Sequence, residues 1–70
     1  MSKDEAIQSM REGNKVTHFL FTDDEFISLA TPNDFAYTDE KGYRLPIGEF
    51  WQYRKSDVFQ TGWELFTKVK

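Results

Sequence analysis

A chain of 70 residues suits a single domain spanning 1–70, because neither half of it is long enough to bury a hydrophobic core of its own. The absence of cysteine excludes disulfides, thiolate metal sites and cysteine nucleophiles, and the one histidine leaves a histidine-based zinc site dependent on carboxylates or a second chain. The net charge of −3 argues against bulk nucleic-acid binding, and without a long apolar run or signal-peptide core we expect a soluble, cytoplasmic protein with no membrane partner.

The first predicted element is a helix over residues 3–12. Ser2 and Glu5 have the spacing of a capping box, in which each side chain accepts a hydrogen bond from the other residue's backbone N–H. Apolar residues follow at helical spacing, and Gly13 stands where a helix commonly ends in a left-handed residue. The pattern therefore predicts both ends of this helix.

Residues 15–21 alternate with a period of two, which is typical of a β-strand. The two faces of this predicted strand carry Val16, His18 and Leu20 on one side, and Thr17, Phe19 and Phe21 on the other. A turn at 22–24 precedes residues 25–30, which we interpret as the returning strand. Thr22 and Glu25 also fit a second capping box, so a short helix is the alternative there.

A hairpin is predicted after the Thr-Pro-Asn-Asp turn at 31–34. Its strands are 35–38 and 43–47, and Gly42 in the connection takes the positive φ that such turns need. The pairing of these two segments follows from the short connection between them.

The remainder of the chain is less regular. Residues 48–57 fit either a strand or a helical turn, whereas 63–69 alternate as a final strand after the break at Thr61 and Gly62. Together the predicted elements define an α+β fold, in which an N-terminal helix packs on a small antiparallel β-sheet.

Aromatic side chains make up 17% of the chain, as seven Phe, three Tyr and two Trp. Each ring buries roughly 150–250 Å², and so small a core cannot enclose all of them. We therefore expect some rings at an interface or binding cleft, and a homo-oligomer whose partner surface covers the apolar area. Acidic side chains predominate in residues 1–40 and basic ones in 41–70, which favours the second part for binding a small anion.

No arrangement of residues points to catalysis, a metal or a cofactor, so we expect a non-enzymatic protein. The glycines stand singly, which excludes a glycine-rich phosphate loop. The Asp23-Asp24-Glu25 run lacks the alternate spacing and the glycine of a calcium loop. His18 is either a functional residue, as a ligand contact or a general base, or a half-buried histidine hydrogen-bonded within the sheet.

The stretch from Tyr43 to Trp63 combines aromatic and basic residues. Its rings offer a stacking surface for a nucleotide base, and its arginines offer a fork for phosphate. The same composition also suits a sheet core with basic residues along its solvent edge, or an aromatic dimer interface. Both interpretations remain open from the residues alone.

Three segments resemble a known family. They are the Glu-Gly-Asn-Lys-Val-Thr-His run at 12–18, the Phe50-Trp51 pair with Arg54, and the closing Gly-Trp-Glu at 62–64. In these segments the chain is similar to the small phage and prophage proteins typified by the second Thoeris anti-defence protein. The resemblance implies a homodimer or dimer of dimers in the host cytoplasm. Pockets between its subunits would sequester a cyclic ADP-ribose-type or cyclic-dinucleotide immune signal without cleaving it.

Six residues are the predicted ligand contacts. The resemblance places five of them in the pocket by position: Thr17, His18, Phe21, Trp51 and Trp63. Arg54 is added because its guanidinium can meet a phosphate bidentately. Many family members carry a basic residue and a Gly-Trp pair after the helix, where this chain has His-Phe-Leu-Phe at 18–21, so the stacking partner and the ligand stay open. The alternative function is a protein–protein interaction module, an inhibitor or assembly factor, that uses the same aromatic patch.

Overall fold

The structure is a computed structural model that describes residues 1–67. Its first element, α1 (Lys3–Arg11), confirms the predicted N-terminal helix. Ser2 Oγ accepts from the Glu5 N–H at 3.2 Å, and Glu5 Oε1 accepts from the Ser2 N–H at 2.9 Å. Gly13 has a φ of +94°, so the chain leaves the helix through the left-handed conformation that glycine permits.

Within residues 1–67, five short strands form one antiparallel sheet. In chain order they are β1 (Val16–His18), β2 (Ile27–Ser28), β3 (Ala36–Asp39), β4 (Arg44–Pro46) and β5 (Trp63–Leu65). The spatial order is β4-β3-β2-β1-β5, so β5 pairs with β1 at one edge and β4 forms the other. With α1 packed against β1 and β5, the predicted α+β architecture is confirmed.

β1 is shorter than the alternating pattern predicted. The Phe21 N–H donates to the His18 carbonyl at 2.8 Å, and the Leu20 N–H donates to His18 Nδ1 at 3.1 Å. These two bonds form a turn directly after His18, and Phe19 and Leu20 become exposed. The prediction of two strand faces through residue 21 was therefore wrong beyond His18, because the histidine ring itself satisfies the backbone of the turn.

The segment after β1 contains a strand and not the alternative helix. The Thr22 N–H donates to Glu25 Oε1 at 3.2 Å and the Glu25 N–H to the Thr22 carbonyl at 3.1 Å, which closes a turn. The β3–β4 hairpin is confirmed as well. Asp39 Oδ1 accepts two backbone N–H groups of the connection, and Gly42 has a φ of +85°.

The ambiguous segment 48–57 contains a second helix, α2 (Ile47–Gln52), and the start of a 3₁₀ turn (Asp57–Phe59). The helix is six residues long, and its Phe50 side chain is buried in the core. β5 ends at Leu65, and residues 68–69 of the predicted final strand lie outside the described residues. No helix within residues 1–67 has the length and apolar character needed to cross a membrane.

The core lies between α1, α2 and the sheet, with Trp63 fully buried. Its buried members are Ala6, Met10, Val16, Ile27, Tyr37, Phe50 and Trp63. Several rings do stay outside it: Phe35 is 81% exposed and Tyr53 is 79% exposed. The surface thus carries some of the aromatic side chains, as composition predicted.

Candidate functional site

A cleft of about 550 Å³ separates α1 from the β2–β3 loop and α2. Its volume falls within the usual range for small-molecule sites. The cleft is lined by Lys3, Ile7 and Arg11 of α1, Leu29, Pro32, Asn33 and Asp34 of the loop region, Tyr37 of β3, and Ile47 and Trp51 of α2.

The α1 wall of the cleft is a stripe of residues spaced by four. Lys3, Ile7 and Arg11 share one face because a helix turns once every 3.6 residues. The neighbouring face, which includes Ala6 and Met10, is buried in the core. Burial of that face fixes the rotation of α1, so both cations of the stripe line the cleft.

The α2 wall presents the indole ring of Trp51. Trp51 Nε1 donates to Tyr37 Oη at 2.9 Å, and the two rings meet edge to face at 89°. This bond fixes the orientation of the half-buried indole against a buried side chain. Lys3 Nζ lies 4.5 Å from the centroid of the Trp51 ring, a cation–π contact. The wall therefore offers an aromatic surface with a positive charge beside it.

The cleft has an excess of positive charge even though the chain is acidic overall. Within residues 1–67, neither Lys3 nor Arg11 has a carboxylate within ion-pair distance. Asp34, the acidic residue of the lining, pairs with Arg44 at 2.5 Å between Oδ1 and Nη2. The Arg44 hydrogen bond holds the pKa of the Asp34 carboxyl below its ordinary value, and Arg44 offsets the charge of Asp34. An anion in the cleft therefore meets two unpaired cations.

The predicted site residues do not come together in one chain. Trp51 lines the cleft just described. Thr17, His18 and Phe21 border a second cleft of about 260 Å³, which also holds the carboxylates of Asp23 and Glu64. Those two carboxylates disfavour a phosphate group there. Neither Trp63 nor Arg54 lines either cleft.

His18 is buried, and both of its ring nitrogens are hydrogen-bonded to the backbone. Nε2 donates to the carbonyls of Val58 and Thr61, each at 2.8 Å, while Nδ1 accepts from the Leu20 N–H. Two carbonyl partners require a proton on Nε2, and an N–H partner requires a lone pair on Nδ1. The geometry therefore assigns the neutral Nε2–H tautomer and matches the structural interpretation of this residue.

Trp63 is buried beside His18, with 4.8 Å between their ring centroids. Its Nε1 donates to the Phe59 carbonyl at 2.8 Å, so the indole has a protein partner. The absence of a side chain at Gly62 makes room for the Phe19 ring of the same chain. A Cβ on Gly62 would lie 2.4 Å from Phe19 Cδ1.

Arg54 is half-buried and packed on the protein's own surface. Its guanidinium carbon lies 3.9 Å from the centroid of the Phe50 ring, and Nη1 donates to the Phe50 carbonyl at 3.1 Å. Burial lowers the pKa of this guanidinium below its ordinary value. Thr17 Oγ1 likewise donates to the Glu25 carbonyl at 2.8 Å. In a single chain, both side chains are engaged by the fold itself.

Sequence reasoning missed the residues that give the cleft its charge and its polar partner. Lys3 and Arg11 come from the acidic part of the chain, whereas the charge distribution had favoured the basic part. Their spacing with Ile7 on a firmly predicted helix was the signal that could have found them. Tyr37 carried no such signal. Its contact with Trp51 joins β3 to α2, and a contact between two separate elements leaves no pattern in the local sequence.

The site thus defines a small α+β protein whose cleft between α1 and α2 combines cationic and aromatic side chains. Comparison of the chain with family models, curated proteins and solved structures finds no match. Within residues 1–67, no group of three or more His, Asp or Glu side chains is placed to hold a metal ion.

Proposed function

We propose that this protein is a non-enzymatic binding protein that sequesters a small nucleotide-type ligand. One observation carries the proposal: the indole of Trp51 lies in the same cleft as the unpaired cations Lys3 and Arg11. Bases stack on aromatic side chains, and phosphates pair with Lys and Arg. A nucleotide combines both features, and its size suits a cleft of about 550 Å³.

The resemblance to the phage and prophage family supports a more specific form of this proposal. In that form the ligand is a cyclic ADP-ribose-type or cyclic-dinucleotide immune signal, and its capture in the host cytoplasm counters anti-phage defence. The protein acts as a dimer or dimer of dimers, so a second chain brings further groups to the cleft. Exposed rings such as Phe35 and Tyr53 give a physical reason for association.

Ligand binding is tested by calorimetric titration of cyclic dinucleotides and cyclic ADP-ribose isomers into the wild-type protein and the Trp51→Ala variant. Stacking contributes roughly 1–3 kcal/mol per base, so Trp51→Ala is expected to weaken binding by about 5- to 150-fold. Tyr43→Ala is the matched control, because it removes an exposed ring of the hairpin connection that does not line the cleft. Trp63 remains in both variants as a fluorescent reporter of folding.

Three results decide the proposal. A bound nucleotide that is recovered intact after denaturation supports sequestration, whereas recovery of cleaved products contradicts it. Equal affinity of wild type and Trp51→Ala would remove the cleft from the site. Sedimentation of the same samples at micromolar concentration is expected to show a dimer or larger species, and a monomer of 8.3 kDa would contradict the oligomeric form of the proposal.

The second candidate is a protein–protein interaction module. It is favoured by the exposure of Phe35 and Tyr53, because large apolar side chains at the surface often mark an interface. Such a module binds no nucleotide. In that case Phe35→Ser and Tyr53→Ser abolish its inhibitory or assembly activity, and Trp51→Ala has little effect on it.

A further inference from the structure

The buried Tyr37 hydroxyl accepts one hydrogen bond, but its own hydrogen is not donated to any partner in the part of the chain that the structure describes. Tyr37 is 1% exposed, and its oxygen accepts the Trp51 Nε1 hydrogen at 2.9 Å. A phenol also has one hydrogen to donate. Within residues 1–67 that hydrogen has no acceptor. Because Tyr37 lines the large cleft, an oxygen atom bound there is the natural partner.

Arg11 lines the same cleft as Tyr37. Burial raises the pKa of Tyr37 above its ordinary value, and the Trp51 hydrogen bond and the charge of Arg11 oppose this rise only in part. Tyr37 thus stays neutral and keeps its donor hydrogen. Arg11 lacks a carboxylate partner within the described residues. Two donors without acceptors therefore face the same volume.

We infer that the Tyr37 hydroxyl and the Arg11 guanidinium together bind one phosphate group of the ligand. This inference rests on the proposed function and adds the orientation of the nucleotide within the cleft. The phosphate lies at the C-terminal end of α1, beside Arg11, and the base stacks on Trp51 near the N-terminal end. Tyr37 Oη lies 2.9 Å from Trp51 Nε1, so a phosphate on that hydroxyl lies beside the indole that stacks the base, and one nucleotide can reach both.

Lys3 has a defined part in this arrangement. In the free protein its ammonium covers the Trp51 ring at 4.5 Å. Stacking of a base therefore displaces the ammonium, and its flexible four-carbon stem lets it follow the ligand's negative charge. In the complex the base replaces the Lys3 ammonium on the Trp51 ring, while Arg11 and Tyr37 bind the phosphate.

The test compares adenosine 5′-monophosphate with adenosine, which differ only in the phosphate. Wild type is expected to bind the monophosphate at least tenfold more tightly. Hydrogen bonds to charged groups correspond to roughly 10- to 150-fold in affinity, so Arg11→Gln is expected to remove most of this preference. Tyr37→Phe is expected to reduce it about tenfold. Arg11→Gln should bind adenosine within about twofold of wild type. Tyr37→Phe also loses the bond that orients the Trp51 indole, so for this variant the result is the ratio of the monophosphate and adenosine affinities. Lys41→Gln is the matched control, since it deletes an exposed positive charge in the hairpin turn.

Failure of the inference and failure of the proposed function give different results. If wild type binds adenosine and the monophosphate equally, the cleft holds a base but the phosphate subsite is wrong. If Arg11→Gln loses affinity for both probes equally, Arg11 does not act on the phosphate and the inference is again wrong. If wild type binds neither probe, the inference is overturned, and the cyclic ligands of the preceding experiment still test the proposed function. Thermal unfolding of Tyr37→Phe is measured as well, because Tyr37 is buried. If Tyr37→Phe is unfolded, the affinities of Arg11→Gln for the two probes decide the inference.

Discussion

Replacing His18 with phenylalanine tests the conclusion that this residue supports the fold. The variant keeps a ring of similar size against Phe59 and Trp63, whose centroids lie 4.7 and 4.8 Å from that of the imidazole. It removes the donor to two carbonyls and the acceptor of the Leu20 N–H. Each buried backbone group left unpaired costs about 1–3 kcal/mol, and water can reach some of them. We therefore expect a total loss of about 3 kcal/mol.

A loss of this size is readily measured in so small a domain. Each kcal/mol shifts the midpoint by about 4–8 °C, so thermal unfolding of His18→Phe is expected at least ~12 °C below wild type. Urea unfolding followed by Trp63 fluorescence gives the free energy directly, and ¹⁵N chemical shifts of the wild-type imidazole report which nitrogen carries the proton. A variant within about 0.5 kcal/mol of wild type, or a proton found on Nδ1 at neutral pH, would refute the reasoning. A folded variant that loses only ligand binding would restore His18 to the site.

Two further predictions follow from the buried tyrosine and from the glycine at positive φ. Because burial raises the pKa of Tyr37, its neutral form stabilises the fold fully below pH 10, and this contribution is lost as the pH rises through the higher folded-state pKa. Absorbance at 295 nm is therefore expected to show that Tyr37 ionises above the ordinary range of tyrosine and that unfolding accompanies this ionisation; ionisation of Tyr37 within the ordinary range in the folded protein would contradict this. Gly62→Ala places a side chain at a φ of +85° and against Phe19, so a loss of at least about 1–2 kcal/mol is expected in urea unfolding. Wild-type stability of that variant would show that this position tolerates a side chain.

Local patterns predicted those parts of the fold that are fixed by neighbours in sequence. The capping box of Ser2 and Glu5 defines where α1 begins, and Gly13 where it ends. The hairpin was predictable for the same reason, since Asp39 and Gly42 make the turn by themselves. The end of β1 was not predictable, because it depends on the His18 side chain, which accepts a hydrogen bond from the Leu20 N–H in the turn that follows the strand.

The candidate site was less accessible to sequence reasoning than the fold. Rings in a short chain can be core or surface, and composition alone cannot distinguish the buried indole of Trp63 from that of Trp51 in the cleft. The distinction comes from long-range packing: Trp63 lies on the inner face of β5, whereas Trp51 contacts Tyr37 across fourteen positions. The role of Arg54 was ambiguous for a similar reason. The sequence places Arg54 near Phe50 but does not show that its guanidinium packs on the Phe50 ring.

Backbone carbonyl groups help to hold the segment between α2 and β5 in place. Its 3₁₀ turn buries no residue fully, and the side chains that hold it belong to the sheet. His18 donates to the carbonyls of Val58 and Thr61, and Trp63 donates to that of Phe59. Since the acceptors are backbone oxygens, these bonds place no demand on which side chains occupy the segment. Val58 and Thr61 are therefore free to change while the path of the segment stays the same, whereas Phe59 packs on the imidazole and Gly62 keeps a φ of +85°.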